Sequence, residues 1–135
     1  GENLTIDDFD EKLIKIGDEF EVGSCIFQVS QPRIPCYKIG IKMNSRDFPK
    51  KFSSSGLLGS YLRVVKTGSI KNGDELKLVK TDSDSLSLYD ISDILFNDIK
   101  NIEKMKAALD LKYLTEEIKE RFRERLMKLG DFDSL

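Results

Sequence analysis

The sequence predicts a mainly β domain, a small barrel or sandwich, followed by a short helical appendage. Three observations carry this expectation. Over about the first 80 residues, short runs of β-branched and aromatic residues alternate with Gly-Asp and Asn-Gly turn signals. From about residue 89 the apolar residues recur at helical spacing instead. The chain of 135 residues, 39% apolar and 34% charged, has room for one hydrophobic core and a small addition.

The strand region opens with "EFEVGSCIFQVS" at residues 19–30. Its start, "IGDEFEVG", has an echo in "NGDELKLV" at residues 72–79, and in both a Gly-Asp turn launches a short strand. Two further strands are expected in "SYLRVVKTGSIKNGDELKLVK", around Gly68 and the Asn72-Gly73 turn. Between these blocks, "FPKKFSSSGLLGSYLRV" breaks the pattern. Ser53, Ser54, Ser55 and Gly56 open a loop, and Gly59 permits close backbone approach. Such a loop either presents amides to an anion or is an ordinary surface turn after a helical piece, and no GxGxxG or Walker pattern decides between them.

Three amphipathic helices are expected after the strands. Ile91, Ile94, Leu95 and Ile99 share one face, then Ile102, Met105 and Leu109, then Ile118, Phe122, Leu126 and Leu129. Thr115 reads as the N-cap of the last helix, with Glu116 and Glu117 in its first turn and Lys128 and Gly130 at its end. Lys119, Arg121, Arg123 and Arg125 interleave with glutamates there, the pattern of a solvated face. The change of period divides the chain into residues 1–86 and a separate helical unit of residues 87–135.

The net charge of −2 hides an asymmetry. Residues 33–66 carry Arg33, Lys38, Lys42, Arg46, Lys50, Lys51, Arg63 and Lys66 against Asp47 alone, an anion-attracting region. The first 22 residues are acidic. No stretch has the length of a membrane span and no leader pattern opens the chain, so a cytoplasmic protein without membrane contact is expected. With two cysteines and no histidine, neither a disulfide framework nor a structural zinc site is expected.

Chemistry concentrates in "QVSQPRIPCYKIGIKM" at residues 28–43. Pro32 and Pro35 stiffen the approach to Cys36. Beyond it, Tyr37, Ile39, Ile41 and Met43 alternate with Cys36, Lys38, Gly40 and Lys42, so a strand here turns the thiol and Lys38 away from the core together. A thiol between Arg33 and Lys38 is favoured as the thiolate, the form that attacks electrophiles and ligates metals; the alternative is a structural cysteine. Cys25 alternates with Phe27 and Val29 and reads as a small buried hydrophobe.

Taken in order, "GENLTI", "IGDEFEVG", "QVSQPRIPCYKIGIKM", "SSSGLLGSYLRVVKTGSIKNGDELKLV" and the helical tail resemble the MOSC domain, the molybdenum-cofactor sulfurase C-terminal domain, of the YiiM type with its three-helix module. The resemblance implies a β-barrel-like domain that binds the molybdenum cofactor (molybdenum-molybdopterin), with Cys36 as the metal ligand or the bearer of a persulfide. A thiolate suits a soft metal-dithiolene centre, and the pterin phosphate calls for cations and amide donors. On this resemblance Arg33 and Lys38 attend the thiolate and the anionic cofactor, while Arg63, Ser55 and Gly56 contact phosphate or pterin. Asn3 of "GEN" either bonds the pterin edge or caps the first strand. Family members carry an upstream segment with a His-Gly-Gly loop, whereas this chain starts at Gly1 without Met, so the expectation is of a shortened chain that holds the cofactor less well.

Two functions follow from the resemblance. One is a molybdenum-cofactor reductase of small N-hydroxylated substrates such as hydroxylaminopurines, served by a flavin or iron-sulfur electron-donor protein and acting as a homodimer. The other is a sulfur carrier passing a persulfide from Cys36 to a partner. A nucleic-acid module using the central cations ranks below both, since Tyr37, Phe48, Phe52 and Tyr61 form no recognisable binding motif.

Overall fold

The computed structural model describes residues 4–35, 43 and 46–131. Among them are β1 (Glu19–Val22), β2 (Cys25–Pro32), α1 (Phe48–Ser55), β3 (Ser60–Lys66), β4 (Leu76–Lys80), α2 (Leu88–Phe96), α3 (Ile102–Leu109) and α4 (Glu116–Lys128). The strand expected at residues 36–43 lies outside the described residues apart from Met43.

The four strands form one antiparallel sheet in the order β3-β2-β1-β4. The two echoing segments are neighbours in it, with Phe20 opposite Leu78 and Val22 opposite Leu76. The Gly68 and Asn72-Gly73 turns do not join adjacent strands, because β3 and β4 occupy opposite edges. Their connection crosses the β1–β2 turn, where Ser24 N–H donates to the Ser69 carbonyl at 3.1 Å and Ser69 N–H donates to Ser24 Oγ at 2.7 Å. Gly68 is needed at this crossing, since a Cβ there would press on the Ser24 side chain and lie 2.6 Å from its carbonyl oxygen. Among the described residues the sheet is therefore open, with β3 and β4 as its edges, rather than closed into a barrel or doubled into a sandwich.

Residues directly opposite in a sheet project to the same side. One face thus carries the row Val64, Phe27, Phe20 and Leu78, and the other carries Arg63, Gln28 and Glu19. A single buried cluster joins Ile16, Phe20 and Val29 of the strand region to Leu88, Ile91, Ile94, Met105, Ile118, Phe122 and Leu126 of the helices. At the expected boundary near residue 86, Ile16 N–H donates to the Leu86 carbonyl and Leu88 N–H to the Ile14 carbonyl, both at 2.9 Å.

Helix ends follow their local chemistry. Ser87 and Asp90 form a capping box at α2, Asn101 caps α3, and Thr115 caps α4 as expected. Of the predicted apolar faces, Ile91, Ile94, Leu95, Met105, Ile118, Phe122 and Leu126 are buried, while Ile99 and Leu129, which lie beyond α2 and α4, are exposed. No helix among the described residues is long and apolar enough to cross a membrane.

Candidate functional site

The end of α1 shapes the site. Gly56 takes a left-handed φ of 71° and its N–H donates to the Ser53 carbonyl, closing the helix. The Ser55 hydroxyl donates to the Phe52 carbonyl at 2.6 Å and accepts from Leu57 N–H at 3.1 Å. The Tyr89 ring packs over Gly56 so closely that a Cβ would fall 2.6 Å from a ring carbon. The chain is thereby turned to bring Leu57, Leu58 and Gly59 alongside a cavity of about 580 Å³. Opposite, Arg33 N–H donates to the Gly59 carbonyl at 3.3 Å, extending the ladder one step past the Pro32–Ser60 pair.

The cavity walls are of mixed polarity, with Phe9, Phe27, Phe52, Leu58 and Leu62 supplying apolar surface. Glu11, Arg33, Ser60 and Tyr61 supply polar groups. Arg33 is half-buried, and no ion pair engages its guanidinium among the described residues. Glu11 is held from behind, where its backbone carbonyl accepts from Tyr89 N–H at 2.9 Å at the start of α2.

The residues singled out in the sequence are distributed unevenly. Arg33 borders the cavity. Ser55 and Gly56 sit behind the Leu57–Leu58 wall, with the hydroxyl and the Gly56 amide taken up by the turn. Arg63 lies between Leu62 and Val64, which face the cavity, and itself projects from the other side of the sheet, where it donates to Gln28 Oε1. Cys36, Lys38 and Asn3 lie outside the described residues. Cys25 is buried, 5% exposed, as its alternation with Val29 implies. Among the described residues no three His, Cys, Asp or Glu side chains converge to hold a metal.

Sequence reasoning missed Glu11, Phe9 and Phe27 as wall residues. Phe27 lies on the strand that leads to Arg33, whereas Phe9 and Glu11 come from a segment some twenty residues upstream that is anchored to α2 through residue 11. From the sequence Phe52 reads only as an aromatic among cations.

Chemically, the arrangement is a recess of mixed polarity with one donor-rich cation and one carboxylate on its lining. It suits a small organic ligand with a polar or anionic edge, and cavities of ~300–1,000 Å³ are the usual size for such ligands.

Residues 1–77, more than half the chain, match the family model of the MOSC domain. YflK of Bacillus subtilis is 31% identical over 96% of this chain, which spans 58% of YflK. A protein of Gibberella moniliformis named Reductase is 29% identical over 70% of this chain, which spans 17% of that longer protein. The crystal structure of YiiM from Geobacillus stearothermophilus superposes with a TM-score of 0.83 at 34% identity, covering 88% of this chain and 61% of YiiM. On the strength of the family match and of this shared architecture, the chain belongs to the MOSC domain family, with YiiM and YflK among its relatives.

Proposed function

We propose that this protein binds the molybdenum cofactor and reduces small N-hydroxylated molecules, with Cys36 as the molybdenum ligand. The observation that carries this reading is Arg33, a guanidinium without an ion pair among the described residues, at the edge of a ligand-sized cavity and three residues before the cysteine of the family motif. The relative named Reductase supports the redox half of the reading.

The residues present fit the group. Arg33 suits the phosphate oxygens of the pterin, since guanidinium pairs with them bidentately. The phenylalanine and leucine side chains of the wall offer the pterin an apolar surface beside that contact. Cys36, flanked by Arg33 and Lys38 in sequence, stays available as a thiolate. When bound, the cofactor supplies the electron pair that, with two protons, converts an N–OH group to N–H and water. A flavin or iron-sulfur protein is the matching electron donor.

Metal analysis of protein expressed in a cofactor-competent host tests the proposal. Molybdenum is expected in the parent and in Cys25→Ser, whose thiol is buried in the sheet, and is expected to be lost in Cys36→Ser. Arg33→Ala should lower retention about tenfold while Cys36 still alkylates, because a charge-assisted bond contributes ~1.5–3 kcal/mol. Arg63→Ala, which removes a bond to Gln28, should retain the metal. Equal retention in the two cysteine variants would remove Cys36 from the metal. Metal-free protein that instead takes labelled sulfur onto Cys36 and passes it on would establish the sulfur-carrier function in its place.

A further inference from the structure

We propose that Gln31 is the positioning residue of Arg33, and that through it Thr115 couples the head of α4 to the candidate site. Gln31 is buried, 4% exposed, near the end of β2 and two residues before Arg33. Its Nε2 donates to the Pro32 carbonyl at 3.2 Å. At the other end of the same peptide, Arg33 N–H donates to the Gly59 carbonyl at 3.3 Å. The peptide that leads into Arg33 is thus held at both of its polar groups. The ring of Pro32 fixes its φ, and these two bonds set its ψ, so the chain enters Arg33 in one direction. From there the side chain runs over Gly59, with Cδ 3.6 Å from where a Cβ would stand.

The amide of Gln31 is itself aimed by the helical region. Thr115 Oγ1 accepts from Ile118 N–H at 3.4 Å, which leaves the hydroxyl proton for Gln31 Oε1 at 2.7 Å. With Oε1 engaged as the acceptor, the NH2 group is turned toward the Pro32 carbonyl. A side chain that served only to fill this space could be apolar, and methionine has nearly the length of glutamine. What the amide adds is a fixed peptide before Arg33 and a link that runs from Thr115 through Gln31 and Pro32 to the cavity edge. The contacts stand without any ligand; their meaning for function rests on the reductase reading, in which Arg33 holds the pterin phosphate.

Two measurements keep failure of this positioning apart from failure of molybdenum binding. The first is backbone 15N relaxation of the full chain without metal. The Arg33 amide is expected at an order parameter of about 0.85 in the parent and below about 0.6 in Gln31→Met, while the buried Val29 amide stays in the rigid range in both. Thr115→Asp keeps an N-cap acceptor for Ile118 N–H but has no proton for Gln31, and should loosen Arg33 as Gln31→Met does. Thr115→Ser keeps both bonds and should recover the parent value. The second measurement is molybdenum retention, which should fall roughly fivefold in Gln31→Met, in line with one neutral hydrogen bond. In Gln31→Met combined with Arg33→Ala the loss should be no greater than in Arg33→Ala alone, because the first change acts through the second residue. An Arg33 amide that is mobile in the parent, or as rigid in folded Gln31→Met as in the parent, would overturn the proposal. So would molybdenum losses that add in the double variant. Should Gln31→Met fail to fold, equal Arg33 order parameters in Thr115→Asp and Thr115→Ser would reject the coupling. A parent chain without molybdenum would refute the reductase reading, and the relaxation comparison would then decide the positioning by itself.

Discussion

At Gly56 two demands meet: a left-handed backbone that ends α1, and a Tyr89 ring lying where a side chain would begin. The first was legible in the sequence, because glycine after a serine-rich helical piece is a stop signal; the second was not, since nothing local announces a tyrosine from the following helical region. Gly56→Ala should cost about 1–2 kcal/mol from the backbone alone, with an added penalty from displacing the ring. In urea unfolding, Gly56→Ala combined with Tyr89→Ala is expected to lose less than the two single changes summed, and strict additivity would show that the ring contact carries no energy. The candidate site divides along the same line. Arg33 and Cys25 were readable from charge and alternation, whereas Glu11 became a wall residue only through pairing that brings distant segments together.

Elements are tied to one another by side chains that serve two elements at once. Thr115 Oγ1 accepts from Ile118 N–H at the start of α4 and donates to Gln31 Oε1 at 2.7 Å, anchoring the helix to the strand that leads to Arg33. Arg125, read from the sequence as part of a solvated face, donates instead to the Ile94 and Leu95 carbonyls at 2.6 and 3.0 Å, covering the C-terminal end of α2. Burial first, and Arg121 second, lower its pKa, yet an arginine stays charged at neutral pH. Arg123, by contrast, pairs with Glu116 and Glu120 in solvent as that reading expected. Arg125→Met should therefore destabilise by about 1.5–3 kcal/mol, since terminal carbonyls lose a charged donor, while Arg123→Met, whose ion pairs are screened by solvent, should leave stability nearly unchanged. Chemical unfolding of the two variants side by side checks this, and equal effects would deny Arg125 its capping role. Charge interleaving alone separates these arginines poorly, because a helix face looks the same in sequence whether its last turn meets water or another helix end.

On the scale of the whole molecule, the strand region and the helices bury one cluster of side chains between them. The change of period near residue 89 was clear in the sequence, but periodicity reports only which residues are apolar and not what they are buried against. Removing residues 87–135 would uncover Ile16, Phe20 and Val29 together. The expected result is a fragment that binds a hydrophobic dye and melts without a sharp transition; a cooperative transition in residues 1–86 would instead support the division into two units. The pairing of the echoing strands has a further outcome for a chain as it leaves the ribosome. β1 and β2 emerge early, but the strand that closes the outer edge of β1 follows only after α1 and β3. Until then the edge beside Phe20 is bare, and a chain further along the same message already has a β4 that can pair with it. Slow translation before Leu76 should thus favour exchange of β4 between copies over pairing within one.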